Sequence, residues 1–203
     1  MFDSGAAVRE SLSLLGAALE ARGAGPYEIV VIGGAALSVI GIGIRPTKDV
    51  DVLALRQAPT HLSGPTLVKR KPLPEPLLAA AATVADALGL SADWLNAGPA
   101  DLLDHGLPEG LESRLTAESF GPQLTIWVPS RGDLICFKTY AAADTGVGRH
   151  TEDLQALEPS CEELLAGAAW ARSQDPSEAF RAMLVGLLRY FHCAAAAEEI
   201  SHG

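Results

Sequence analysis

The chain has 203 residues, enough for one sizeable domain with an appended part, and 48% of them are hydrophobic, as in ordinary globular proteins. A formal net charge of −10 excludes broad, charge-driven nucleic-acid binding, so no extended nucleic-acid patch is expected. No run reaches the roughly 20 apolar residues of a spanning helix, so no membrane partner is expected either.

Acids are mixed through the N-terminal stretch 1–23 and no basic leader precedes a cleavage site, so a cytoplasmic location is expected. Ser4 is placed to cap a first helix, with Val8, Leu12, Leu15 and Leu19 at helical spacing up to Gly23. Residues 27–32 are β-branched-rich and too short for a buried helix, which predicts a strand. Gly33-Gly34 then turns into a short helix over about 35–40, closed by Gly41 and Gly43.

A second strand follows at 50–55. Asp49 and Asp51 flank Val50, so in an extended chain their carboxylates share one face while Val50 and Val52 point the other way. Such a pair suits a divalent cation of the magnesium type, which bridges carboxylates and phosphates. A glycine turn between strand and helix presents backbone N–H groups to an anion. Neither a dinucleotide fingerprint nor a P-loop is present, which disfavours a Rossmann-type nucleotide binder.

The stretch 57–76 is rich in proline, lysine and arginine and reads as a surface loop. A helix is expected over 77–88 up to Gly89, then a short third strand within 91–96, and turns around two short helical pieces to Gly110. Residues 124–128 alternate like a strand, and Ser130 can cap a helix over 131–143 that carries Lys138. Beyond a glycine loop, helices are expected from Thr151 to Leu157, from Ser160 to Arg172 and from Ser177 to Ala197. Cys136, Cys161 and Cys193 lack the spacing of a zinc site or disulfide framework and read as buried apolar groups. The five histidines have no mutual metal-ligand spacing, although His150 beside Arg149 could touch a phosphate.

The order Ile32-Gly33-Gly34, then Asp49-Val50-Asp51-Val52, resembles the signature of the polymerase-β-like nucleotidyltransferase superfamily. Trp94-Leu95-Asn96, Leu107-Pro108-Glu109-Gly110, Lys138, Tyr140-Ala141-Ala142 and Asp153-Leu154 resemble a bacterial family of nucleotidyltransferase-like proteins. That family is related to the toxins of abortive-infection systems, and the likeness covers roughly residues 30–170. It implies an α/β (α+β) fold, a mixed β-sheet flanked by helices with a C-terminal helical bundle, divided as a nucleotidyltransferase-like domain over 1–157 and a helical part over 158–203.

The resemblance also implies that Asp49 and Asp51 hold Mg²⁺ or Mn²⁺ with a nucleoside triphosphate. Gly33, Gly34, Arg45, Thr47 and Lys48 would meet the phosphates, Lys138 would reach the site, and Asp153 would orient Lys138 or act as a base. A third carboxylate is expected on a neighbouring strand: Asp93 is the candidate, with Asn96 as the competing inward residue. The implied activity is transfer of a nucleoside monophosphate to a hydroxyl on a small molecule, protein or tRNA or other RNA. The alternative is an inactive binding or regulatory module of the same fold, paired with an antitoxin-like protein.

Overall fold

The computed structural model describes residue 2 and residues 4–42, 45–57, 64 and 66–202. Gly43, read as a helix stop, and His61, one of the five histidines, lie outside the described residues. The fold is a mixed α/β one, with an open mixed sheet flanked by helices and further helices towards the C-terminus. By its internal packing the chain divides into two compact units. The first comprises Met1–Asp104 and Gly110–Pro129, and the second His105–Glu109 and Ser130–Gly203. The helices between 131 and 157 therefore group with the C-terminal ones, and the division falls at 129/130, whereas the sequence reading drew it at 157/158.

In the first unit, helix α1 (Gly5–Ala21) starts where the Ser4 side chain accepts from the Ala7 N–H. Its Val8, Leu12, Leu15 and Leu19 are fully buried, the stripe that helical spacing predicts. Strand β1 (Tyr27–Ile32) is buried without alternation from Ile29 to Ile32, as befits a strand covered on both faces. Helix α2 (Gly33–Val39) follows directly, and β2 (Val50–Gln57) returns antiparallel to β1.

The sheet order is β3-β2-β1-β6-β5, with β3 (Thr66–Val68), β5 (Thr116–Ser119) and β6 (Leu124–Val128). β1 and β6 run parallel. On its other edge β2 pairs antiparallel with β3 at 55–57 and parallel with the two-residue β4 (Leu95–Asn96) at 50–51. β3 falls inside the stretch expected to be loop throughout, and β5 was not expected at all. Both are short, with exposed or half-exposed residues, so neither carries an apolar signal.

Between β1 and β2 the register steps from Val30↔Ala54 to Val31↔Val52, which leaves Leu53 as an extra residue in β2. Such a bulge re-aims the side chains beyond it. Helix α3 (Glu75–Leu88) ends on Gly89 in the left-handed conformation. Two 3₁₀ segments, Gly98–His105 and Leu111–Arg114, then lead to β5.

The second unit is helical: α4 (Arg131–Thr145), α5 (Arg149–Ala156), α6 (Cys161–Gln174), α7 (Glu178–Tyr190) and α8 (Ala194–His202). Ser130 and Ser160 each form a reciprocal cap with an acid three residues on, Asp133 and Glu163. Thr151, expected at the cap of α5, sits three residues inside it, where its Oγ1 accepts from the Gly148 N–H at 3.0 Å.

The single last helix expected over 177–197 is two. The chain breaks at Phe191–Cys193, where His192 takes a positive φ of 60°. Cys193, at the break, is bonded to Cys161 at the start of α6, with Cα atoms 5.4 Å apart. This overturns the expectation of three unpaired, buried cysteines: Cys161 is exposed, and Cys136, which is in no disulfide, is half-buried. A separation of 32 residues matches no short spacing motif, so only the packing of α6, α7 and α8 reveals the pair. No described helix is long and apolar enough to cross a membrane.

Candidate functional site

The acidic end of β2 is built by alternation and by two close approaches. Val50 and Val52 are fully buried, whereas Asp49 and Asp51 on either side of Val50 are half-exposed. The Asp51 carboxylate lies against the start of α2. A Cβ on Gly33 would stand 2.5 Å from Asp51 Oδ2, closer than real Cβ atoms come to anything, and Gly33 has φ +74°. Only glycine satisfies both conditions without strain. Gly34 is constrained by the next loop instead, because a Cβ there would lie 2.7 Å from Thr47 Oγ1.

Thr47 is buried and paired through its backbone with Phe2, and its hydroxyl donates to the Asp49 carbonyl at 3.3 Å. Its side chain thus shapes the turn into Asp49. Lys48 is exposed and Arg45 half-exposed, with Arg45 Nη1 donating to the Pro46 carbonyl at 3.3 Å.

The neighbouring strand supplies an amide. Asp51 and Asn96 face each other in the β2–β4 register, and Asn96 Nδ2 donates to Asp51 Oδ1 at 3.3 Å. Asn96 Oδ1 accepts from the Gly98 N–H at 2.8 Å, which fixes which end of the amide meets the carboxylate. Asp93 does not join them. It is exposed, and its carboxylate accepts from the Ser91 hydroxyl, a bond that holds its pKa below the usual carboxylate value. Buried Trp94 separates the two, with its indole N–H given to the Ala81 carbonyl at 3.0 Å.

The other predicted site residues lie in the helical unit. Lys138 on α4 and Asp153 on α5 form an ion pair at 2.5 Å, with side chains 4% and 2% exposed. A lysine among apolar neighbours is accommodated here by a buried carboxylate from the adjacent helix. His150 accepts from Arg149 Nε at 3.2 Å.

Among the described residues, no group of three or more His, Cys, Asp or Glu side chains is placed to hold a metal ion. At the acidic end Asp49 and Asp51 offer carboxylates one residue apart, and the Asn96 amide stands beside that of Asp51. Hard carboxylate oxygens of this kind fit a magnesium-type cation that takes its remaining ligands from water and phosphate. The glycine cradle keeps the Asp51 carboxylate clear of side-chain bulk.

Sequence reasoning gave no weight to the opposite end of the same strand. There Arg56 pairs with Glu28 at 2.7 Å and stacks on Trp127, its Cζ 3.9 Å from the ring centroid. Trp127 Nε1 donates to the same Glu28 carboxylate at 2.9 Å. The available signal was the pairing of an acid and a base on adjacent predicted strands, which needs the register to be known.

Comparison with protein-family models, with curated proteins and with solved structures finds no match.

Proposed function

We propose that the chain is a metal-dependent nucleotidyltransferase. On this reading it moves a nucleoside monophosphate from a nucleoside triphosphate to a hydroxyl on a small molecule, protein or RNA. The observation that carries the proposal is the Asp51 carboxylate set against Gly33, where a Cβ would come within 2.5 Å, with Asp49 one residue before the strand. The φ of +74° favours glycine at this strand-to-helix turn, and the missing side chain leaves room for the Asp51 carboxylate beside it.

When bound, Mg²⁺ or Mn²⁺ would neutralise charge on the transferring phosphates. Asp49 and Asp51 would hold it, and Asn96 orients Asp51 through its amide N–H. Lys48 and Arg45, on the turn that leads into Asp49, supply positive charge and donors for phosphate oxygens. Thr47 acts through the backbone, by fixing the turn. In the helical unit Asp153 holds the Lys138 ammonium as a buried ion pair.

The test is calorimetry or thermal shift with Mg²⁺ and each nucleoside triphosphate, on the wild type and on Asp51→Asn. Metal-dependent nucleotide binding that Asp51→Asn abolishes supports the reading. A wild type that binds no nucleotide with Mg²⁺ present sinks it.

Asn96 favours a second reading, that of a nucleotide-binding or regulatory module that does not transfer, paired with an antitoxin-like protein. An amide can position a group but cannot take its proton, and Asp93 is both exposed and held acidic. Transfer of radiolabel from a nucleoside triphosphate into cell extract separates the two. Label transfer excludes the inert module. Binding without transfer, with Asn96→Asp increasing the stabilisation by Mg²⁺, establishes it.

A further inference from the structure

The basic end of β2 opens onto a cleft of about 640 Å³ within the sheet unit, a size suited to a small molecule. It is five residues along the strand from Asp51, about 16 Å at the usual rise of a strand, so the two sites are distinct. Its walls include Tyr27, Pro72 and Pro74, and its charged lining is Glu28, Arg56 and Arg70.

Arg56 is fixed before any ligand arrives. Glu28 takes one Nη, the Trp127 ring covers one face of the guanidinium, and the side chain is 15% exposed. Glu28 is itself offset by Arg56 and by the Trp127 N–H.

Arg70 is placed by its neighbours. Lys69 bonds Asp101 and Asp104 at 2.8 and 2.5 Å, and Lys71 bonds Asp101 at 2.5 Å, which ties both lysines to the first 3₁₀ segment. Arg70 between them lines the cleft, and among the described residues it has no carboxylate partner. Two guanidinium groups against one carboxylate leave the cleft locally positive in a chain of net charge −10.

We propose that this cleft binds a small organic anion, with its acidic group on Arg70 and the free edge of Arg56 and its apolar body against Tyr27, Pro72 and Pro74. Bidentate hydrogen bonding by a fixed guanidinium selects a planar or tetrahedral oxyanion, and the ring and prolines favour a flat apolar body over a bare ion.

The indole N–H of Trp127 is a built-in reporter, because it shares the Glu28 carboxylate with Arg56. The experiment titrates the ¹⁵N-labelled full chain with phenyl phosphate and benzoate, with benzyl alcohol and inorganic phosphate as controls. The indole signals are assigned with Trp127→Phe. The aromatic anions are expected to shift the Trp127 signal saturably and leave that of buried Trp94 in place. Benzyl alcohol and inorganic phosphate should bind at least tenfold more weakly. Arg70→Ala, at an exposed position, should weaken the aromatic anions at least tenfold with an unchanged unfolding midpoint, whereas Asp51→Asn should not change their affinity. No Trp127 shift at millimolar probe, equal affinity in Arg70→Ala, or loss of binding in Asp51→Asn overturns the proposal. Equal binding of inorganic phosphate overturns the organic part of it.

Discussion

Asp51 and Asp153 are both aspartates that the sequence singles out, and their surroundings differ in kind. Asp51 is half-exposed at a strand, touched by an amide and kept clear of bulk by a glycine. Asp153 is 2% exposed and set against a lysine that is 4% exposed. The same contrast runs through the two units: close backbone approach and part-exposed charge in the sheet unit, a buried ion pair and a covalent tie in the helical one. A carboxylate open to solvent can change partners when a ligand arrives. One buried with its counter-ion cannot do so without leaving a charge stranded. The contrast predicts that changes at Asp153 act first on stability and changes at Asp51 first on binding.

The largest effect should come from Lys138→Met. It removes the buried ammonium that faces Asp153, and losing one partner of such a pair costs about 3–5 kcal/mol. The double variant Lys138→Met, Asp153→Leu should recover most of that loss, because two apolar groups need no compensation. Urea unfolding of both measures it. A single variant as stable as the wild type breaks the contrast.

The disulfide comes next. The bond closes a loop of 32 residues in the helical unit, and chain-entropy arguments put its contribution at about 3.7 kcal/mol. Thiol titration of the unfolded chain should find one free cysteine without reductant and three with it, and reduction should lower the stability of the helical unit. Disulfides persist in oxidising surroundings, so the same titration on protein taken directly from cells bears on the cytoplasmic expectation.

In the sheet unit the sharpest single change is Gly33→Ala. Its φ of +74° costs a non-glycine residue about 1–3 kcal/mol, and the new methyl must push the Asp51 carboxylate aside. Thermal unfolding reads the first effect. The second should appear as loss of Mg²⁺-dependent nucleotide binding, out of proportion to the stability lost. Gly41→Ala is the control, since it shares a positive φ of 80° with nothing within 4 Å of its missing Cβ.

These cases also show what was legible in the chain. Strands β1 and β6 carry unbroken or alternating apolar residues, and helices α1, α3 and α4 carry caps and stripes, so one-dimensional patterns suffice. β3 and β5 form on an edge strand or hairpin where pairing, not burial, decides. The break at His192 is invisible because the surrounding residues keep helical spacing on both sides. At the site, the alternation around Val50 marked Asp49 and Asp51. It took the β2–β4 register to bring Asn96, and not Asp93, to the carboxylate. The disulfide and the Arg56–Glu28–Trp127 cluster depend wholly on residues distant in the chain.

The smallest expected effect tests the exposed side of the contrast. Hydrogen bonds from Lys69 first and Lys71 second hold the Asp101 pKa down, from 3.8 to about 2, and hydrogen bonds to Asp101 first and Asp104 second raise that of Lys69 above its usual 10.5. A depressed folded-state carboxylate stabilises above its unfolded value, and that contribution fades as pH falls from about 4 towards 2. A raised lysine contributes below about 10.5 and loses its effect at higher pH. Because these groups are open to solvent and screened, stability should change little across either window. The titration should change clearly: in carboxyl-detected NMR, Lys69→Met should move the Asp101 pKa up further than Lys71→Met does. With only Lys71 left to tie the segment to Asp101, Arg70 is held less firmly at the cleft, so Lys69→Met should also weaken phenyl phosphate, by less than Arg70→Ala. An Asp101 that titrates near 3.8 in the wild type would mean that the clamp does not form in solution, and Arg70 would then lack the support that aims it at the cleft.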